Sequence, residues 1–217
     1  EDDLRNIGLD VVRIKAGAVN SREWAQALHM IGFLFDDGER AKSISDWYTN
    51  FEKSLSEKLA GVAKTSSVAS SVNDRISTVR SDYAQAAMLA GSYYAIGDYG
   101  SKNVSIPFDI AWFSNYDPQY LFTFKAMGYG YVDADAEYDA RAEYYKDADV
   151  YKNGGMYLIN GDMPVPVRVA YLAGIMHSDI LGDDFGDKVN KEFMSLFYEG
   201  KLSFGEGTYV FWKPVSA

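Results

Sequence analysis

Polar residues at the end of a predicted strand are the side chains of this sequence best suited to chemistry. Asn160-Gly161-Asp162 begins at the last residue of the largely apolar run 155–160. Open α/β sheets bind ligands at the carboxyl ends of their strands. Arg168, further along, carries a guanidinium that suits carboxylate or phosphate groups. The pattern indicates non-covalent binding of an anionic ligand, and the alternative is that Asp162 and Arg168 form a capping or surface pair.

Aromatic side chains supply the second set of candidates. They make up 15% of the chain, which is high, and so many rings need either a core or a concave binding surface. Both uses remain open for the rings that flank predicted strands. These are Tyr93, Tyr94, Tyr99, Trp112, Phe113 and Tyr116.

Catalytic and metal-binding patterns are missing. The alternating acids that begin at Asp133 do not form an EF-hand loop, because its sixth and twelfth positions hold Tyr138 and Tyr144. No G-x-S-x-G, P-loop or G-x-G-x-x-G pattern occurs. The absence of Cys and the presence of only two His exclude thiolate chemistry, disulfides and His-rich metal sites. We therefore expect a protein that is not an enzyme and needs no cofactor.

Length and charge further narrow the classes of protein to which this chain could belong. The 217 residues suffice for one ordinary domain or two small ones, and the net charge of −10 opposes binding to nucleic acid or to anionic lipid. No apolar run approaches the roughly 18 to 20 residues of a membrane span. The chain opens on Glu1 without Met and shows no signal peptide, so we expect it to be cut from a longer protein.

Hydrophobic periodicity predicts the elements that position these residues. A short β-branched strand is predicted at 9–15, a helix at 22–33, and a long helix at 39–60 that ends at Gly61. The Ser-rich stretch 64–74 is typical of a loop. Further strands are predicted at 119–124 and 155–160, and further helices at 82–91, 133–149, 166–177 and 184–199. This alternation indicates an α/β layered domain.

Several segments carry a family resemblance. They include 30–41 (MIGFLFDDGERA), 115–121 (NYDPQYL) and 150–162 (VYKNGGMYLINGD). Together with 4–14, 170–179 and 189–198, and in this order, they resemble the class III solute-binding proteins of ABC importers. Members of that family bind iron–siderophore complexes, haem or cobalamin. The resemblance covers most of the chain, with a gap at 64–100.

The resemblance implies an α/β fold in which a long connecting helix precedes a three-layer Rossmann-like lobe with a mainly parallel sheet. Residues 1–36 would be the end of the N-terminal lobe, 37–62 the interlobe helix and 63–217 the C-terminal ligand-binding lobe. Most of the first lobe would then lie upstream of Glu1.

The resemblance also implies a function. The protein would be the substrate-binding component of an ABC importer, holding an iron complex (siderophore or haem) or a corrinoid in an interlobe cleft and delivering it to a membrane permease. Its location would be extracytoplasmic, with a membrane anchor in the full-length parent. One wall of the cleft would consist of Tyr93, Tyr94, Trp112, Asp162, Met163 and Arg168.

One departure from the family pattern bears on the permease. The family usually carries a permease-docking Glu seven residues before the Pro that corresponds to Pro118, and this position is Ala111 here. Either Asp109 takes over the docking, or the lobe docks differently or not at all. The alternative function is therefore a non-transport interaction or sensor domain that reuses the same lobe. An α/β enzyme with acid-based chemistry is a third hypothesis, disfavoured because no nucleophile–base motif is present.

Overall fold

The computed structural model describes residues 2–14, 17–126, 133–198 and 209–215. The chain divides into two units, Glu1–Lys53 and Ser54–Ala217. The helices are α1 (Asp2–Asn6), α2 (Ser21–Leu34), α3 (Gly38–Lys58), α4 (Asp82–Leu89), α5 (Ile110–Ser114), α6 (Ala134–Tyr145), α7 (Asp149–Lys152), α8 (Val165–Met176), α9 (Ser178–Leu181) and α10 (Phe185–Tyr198). The strands are β1 (Thr65–Ser70), β2 (Arg75–Ser77), β3 (Ser92–Tyr94), β4 (Ser105–Pro107), β5 (Tyr120–Lys125), β6 (Met156–Asn160) and β7 (Val210–Phe211).

Helical packing organises the first unit. α2 begins after Asn20, whose side-chain oxygen accepts a backbone N–H of the first turn. Gly32 allows the start of α3 to approach closely, because a Cβ at this position would lie 2.5 Å from the Cβ of Ala41. Tyr48 of α3 is fully buried, and its ring meets that of Trp24 edge to face at 5.2 Å. Both predicted helices, 22–33 and 39–60, are confirmed.

The strand predicted at 9–15 is wrong over the described residues 9–14, which form no regular element. A short helix, α1, precedes them instead. Among the described residues, no strand pairs with this β-branched run. Branched side chains favour an extended conformation, but a strand is stable only when a neighbour takes up its backbone hydrogen bonds.

A mainly parallel sheet forms the centre of the second unit. Its strand order is β3-β1-β5-β6-β7, and every neighbouring pair is parallel except β6 and β7. β2 and β4 form a separate antiparallel ribbon. The strands predicted at 119–124 and 155–160 are confirmed as β5 and β6, which lie side by side in the sheet.

The Ser-rich segment predicted as a loop is in fact β1, which lies between β3 and β5. Its hydroxyl groups find partners inside the protein: Ser67 Oγ lies 2.7 Å from Ser92 Oγ, and Ser70 Oγ donates to the carbonyls of Val72 and Arg75. A small hydroxyl side chain with a partner can occupy a buried strand without an unsatisfied polar group. The loop prediction was wrong because local composition does not reveal such partners.

Helices cover both faces of the sheet. On one face, the Tyr83 ring of α4 stacks on Phe124 of β5 at 4.1 Å, and α8 packs against α4. On the other, Tyr138 of α6 lies 5.5 Å from the Phe211 ring of β7. Side chains alternate between the two faces of a strand, so the sheet has two faces to bury, and a layer of helices covers each of them. The three-layer α/β prediction is confirmed.

Candidate functional site

The parallel strands end side by side at one edge of the sheet, here called the carboxyl edge. It consists of the last residues of β1, β3, β5 and β6, which are Ser70, Tyr94, Lys125 and Asn160, and of the chain segments that leave them. Ligands of open α/β sheets bind at such an edge. Residues 127–132, which follow β5, lie outside the described part of the chain.

Arg168, in the first half of α8, is buried rather than open to solvent, with 5% of its surface exposed. Its Nη1 donates to Asp82 Oδ2 at 2.8 Å, and its Nη2 donates to the carbonyl oxygens of Gly161 at 2.8 Å and Met163 at 3.3 Å. The guanidinium also lies 4.9 Å from the centroid of the Tyr83 ring. Arg168 thus joins α8, α4 and the segment after β6. Its salt-bridge partner is Asp82, not Asp162 as in the pair considered from sequence.

The neighbours of Arg168 differ in their exposure. Met163 is buried, with 2% of its surface exposed, and its carbonyl accepts from Arg168. Asp162 is exposed, and its backbone N–H donates to Asn160 Oδ1 at 3.0 Å. Of the three residues predicted near the end of β6, only Asp162 has a side chain that faces solvent.

Tyr93 and Tyr94 lie on opposite faces of β3, since neighbouring strand residues point in opposite directions. Tyr93 is 53% exposed. Tyr94 is buried, its hydroxyl donates to the carbonyl of Ser77 at 2.6 Å, and it accepts the N–H of Ala69 at 3.1 Å. Burial raises the pKa of Tyr94 far above that of a free tyrosine, so its hydroxyl stays protonated. Tyr94 therefore ties β3 to β1 and β2.

An aromatic platform surrounds Trp112 in the segment between β3 and β5. Its ring centroid lies 4.8 Å from that of Tyr116, 5.7 Å from that of Tyr99 and 6.3 Å from that of Phe108. Tyr99 is 53% exposed, and the other three are half-buried. Sequence reasoning identified three of these rings but missed Phe108, which follows β4, a strand that the sequence did not predict. Partly exposed rings held by one another offer a preformed apolar surface to a ligand.

Asp109 begins the helix that carries this platform. Its Oδ1 accepts the N–H of Trp112 at 2.7 Å, as a helix N-cap does, and the residue is exposed. The carboxylate therefore orients Trp112 by fixing the first turn of α5.

A charged cluster at the end of β5 was missed from sequence. Lys125 Nζ lies 3.2 Å from Glu137 Oε2, while Arg141 donates to Glu137 Oε1 from Nε at 3.0 Å and from Nη2 at 2.9 Å. Arg141 Nη2 also donates to the carbonyl of Ser71. The sequence predicted a helix at 133–149 but not this cluster, although the i, i+4 spacing of Glu137 and Arg141 was a usable signal. Lys125 remains 41% exposed and presents a cation at the carboxyl edge.

This cluster predicts a stability that depends on pH. Burial alone would raise the pKa of Glu137, but the hydrogen bonds and charges of Arg141 and Lys125 outweigh it and lower the pKa below 4.5. Its stabilising contribution is therefore present above pH 4.5 and is lost as the pH falls through the lowered value. We expect Glu137→Gln to reduce the free energy of unfolding by about 2 kcal/mol at neutral pH.

The measurement is urea unfolding of the wild type and the variant at a series of pH values. The difference between them is expected to shrink steadily below pH 4.5. Glu143→Gln is the matched control, because Glu143 lies on the same helix, is 74% exposed and pairs with Lys146. It should change stability by less than about 0.5 kcal/mol. A Glu137→Gln deficit of equal size at every pH would contradict the assignment.

Two further findings concern the described residues only. In that part of the chain, no group of three or more His, Asp or Glu side chains is placed to hold a metal ion. A search of the same residues finds no helix with the length and apolarity that crossing a membrane requires.

Comparison with known proteins gives matches in structure alone. No protein-family model and no curated protein sequence matches the chain. A TroA-like periplasmic binding protein, FepB from Veillonella parvula, matches with a TM-score of 0.75 at 15% identity, over 99% of this chain and 68% of that one. The molybdate periplasmic binding protein MolA of Haemophilus influenzae matches with a TM-score of 0.72 at 12% identity, over 93% of this chain and 69% of that one.

A periplasmic heme binding protein from Pseudomonas aeruginosa matches with a TM-score of 0.68 at 12% identity, over 82% of this chain and 67% of that one. This chain thus spans about two thirds of the length of these proteins, and 64% of two further solute-binding proteins. These matched proteins are named as periplasmic or solute-binding proteins. The chain therefore has the fold of the TroA-like, class III periplasmic binding proteins.

Proposed function

We propose that this chain is part of the solute-binding component of an ABC importer. Its ligand would be an iron complex, either a siderophore or haem, or a corrinoid, which it would deliver to a membrane permease. The observation that carries the proposal is the aromatic platform of Tyr99, Phe108, Trp112 and Tyr116, in a fold shared with periplasmic binding proteins. An extracytoplasmic location and a membrane anchor in the full-length parent belong to the same proposal.

The aromatic platform, together with Lys125 at the carboxyl edge, supports a bulky ligand with anionic groups. Flat, half-buried rings pack against macrocycles and aromatic chelators, and the exposed cation of Lys125 suits a carboxylate or phosphate on the ligand. Matched proteins are named as binders of heme and of molybdate, and a Helicobacter pylori protein of the same fold was solved with bound Ni(II). Molybdate therefore belongs among the ligands to be tested.

The predicted site residues take different roles in this proposal, in which 63–217 is the ligand-binding lobe. Trp112 and Asp162 contact the ligand, because their side chains reach the surface. Tyr94, Met163 and Arg168 support the wall from behind, since they are buried. Tyr93 is exposed on β3, and its contact with the ligand remains part of the proposal.

A second candidate function rests on the permease-docking position. Ala111 stands where the family usually carries Glu, and the carboxylate of the substitute, Asp109, is engaged as the cap of α5. A domain that keeps the ligand site but has lost the permease contact would act as a sensor or interaction module. A measurement of binding to a permease in the presence of ligand distinguishes the two functions, because only the component of a transporter has to bind a permease.

Tryptophan fluorescence tests the ligand site. We expect one of haemin, a ferric siderophore, cobalamin or molybdate to quench fluorescence saturably, with micromolar or tighter affinity, which corresponds to about 8 kcal/mol. Replacement of Trp112 by Phe should remove most of the quenching, while Trp212→Phe, the control at an exposed tryptophan outside the platform, should keep it. Equal quenching in both variants would place the ligand elsewhere, and no response from the folded protein would contradict the proposal.

A further inference from the structure

A cavity of about 570 Å³ lies on the α8 side of the sheet, beside its last strand. It is lined by the second half of α8, the start of α9, the start of α10 and the residues around β7. Three tyrosines, Tyr157, Tyr171 and Tyr209, and two carboxylates, Asp183 and Asp187, contribute to its wall. Its volume falls within the range of roughly 300 to 1,000 Å³ that is typical of small-molecule sites.

A glycine allows two walls of this cavity to pack closely together. A Cβ at Gly186 would lie 2.2 Å from Cδ1 of the Tyr171 ring, so only glycine lets the start of α10 approach that ring. The Tyr171 ring in turn stacks on Tyr209, with 5.8 Å between centroids and 11° between planes. Its hydroxyl donates to Asp187 Oδ1 at 2.6 Å and accepts from Asn190 Nδ2 at 3.4 Å. The rings and the carboxylate are therefore held in place without a ligand.

The electrostatics of the cavity favour a cation. Asp183 and Asp187 are its only charged residues among the described residues that line it. Burial, and then the neighbouring Asp187 carboxylate, raise the pKa of Tyr171, so this ring stays neutral and keeps its electron-rich face. The protein as a whole carries a net charge of −10, which adds to the negative potential.

We propose that this cavity binds a small organic ammonium cation, with a quaternary ammonium such as that of choline as the best-suited headgroup. Aromatic faces attract such a cation through their quadrupoles, and a quaternary nitrogen needs no hydrogen-bond partner. The two carboxylates supply the compensating charge. This site differs from the carboxyl edge in both position and charge, so it is a second binding function.

Isothermal titration calorimetry with choline tests the proposal on the intact chain. The neutral isostere 3,3-dimethylbutan-1-ol has the same shape without the charge, and we expect it to bind at least about tenfold more weakly. Asp187→Asn should weaken choline binding by about tenfold as well, because the amide oxygen keeps the hydrogen bond with Tyr171 but removes the charge. Asp183→Asn removes the charge of the second carboxylate and should likewise weaken choline binding.

Asp184→Asn is the matched control, since it removes the same charge from the neighbouring position, where the carboxylate pairs with Lys188. It should change the affinity for choline less than about twofold. Thermal unfolding of each variant establishes that it is folded. Equal binding of choline and its neutral isostere, equal effects of Asp187→Asn and Asp184→Asn, or no saturable heat up to about 50 mM choline would each overturn the proposal.

Discussion

Replacement of Arg168 by alanine is expected to lower the free energy of unfolding by about 3 to 5 kcal/mol. Arg168 is 5% exposed, and its removal takes the hydrogen-bond donors away from two carbonyls and from the Asp82 carboxylate. It also leaves the Tyr83 ring without the guanidinium that covers it. Only Arg168 of this ion pair is buried, since the Asp82 side chain is 36% exposed, so most of the loss comes from the backbone carbonyls of Gly161 and Met163, which are left without their donor.

Chemical denaturation of the wild type and two further variants checks this prediction. Arg168→Lys keeps the charge but loses the planar fork of donors, so its deficit should fall between those of the wild type and Arg168→Ala. Arg80→Ala is the control, because Arg80 is exposed and donates to a single carbonyl, that of Ser101. It should change stability by less than about 1 kcal/mol. A folded, equally stable Arg168→Ala protein that had lost ligand binding would identify Arg168 as a ligand contact instead.

Gly91→Ala is expected to destabilise the second unit by about 3 kcal/mol, for two separate reasons. The residue has φ +102°, where an L side chain is strained. A Cβ there would also lie 2.6 Å from Nε2 of the buried His177 and 2.8 Å from Cδ1 of Leu59. Both neighbours would have to move, so overpacking adds to the backbone strain.

Gly97→Ala separates these two contributions. Gly97 also has a positive φ, +62°, but a Cβ there meets no heavy atom within 4 Å. The variant should therefore carry the backbone strain alone and lose about 1 kcal/mol. Thermal and urea unfolding of both variants measure the difference. Equal losses for Gly91→Ala and Gly97→Ala would contradict the tight packing around His177.

Helix positions followed from the sequence because the apolar periodicity is local. The long helix, for example, ends before Gly61, whose φ is +78°, as its sequence indicates. β1 was not predictable in this way, since its buried serines are satisfied by partners that other segments supply, such as Ser92. The isolated run 9–14 shows the converse: β-branched residues without a pairing strand do not form one.

The residues of the candidate site show the same contrast between features that are local in sequence and contacts that form only in the folded chain. Sequence identified Trp112 and Tyr99 because loop aromatics stand out, and the structure groups them on one platform. It could not tell that Tyr94 and Arg168 are buried, because their partners, Ser77 and Asp82, are distant in sequence and the contacts are tertiary. An arginine that the sequence suggests for anion binding can instead be held by a carboxylate and two backbone carbonyls of the same chain.

Anomalous X-ray scattering gives the most direct test of the central claim, that the aromatic platform binds a metal-containing solute. Crystals of this chain would be grown with haemin, a ferric siderophore, cobalamin and molybdate in turn, and data collected at the iron, cobalt and molybdenum absorption edges. We predict one strong peak for one ligand class, with that ligand in contact with Trp112 and its neighbouring rings. A peak away from the aromatic platform, or no peak with any of the four, would contradict the account.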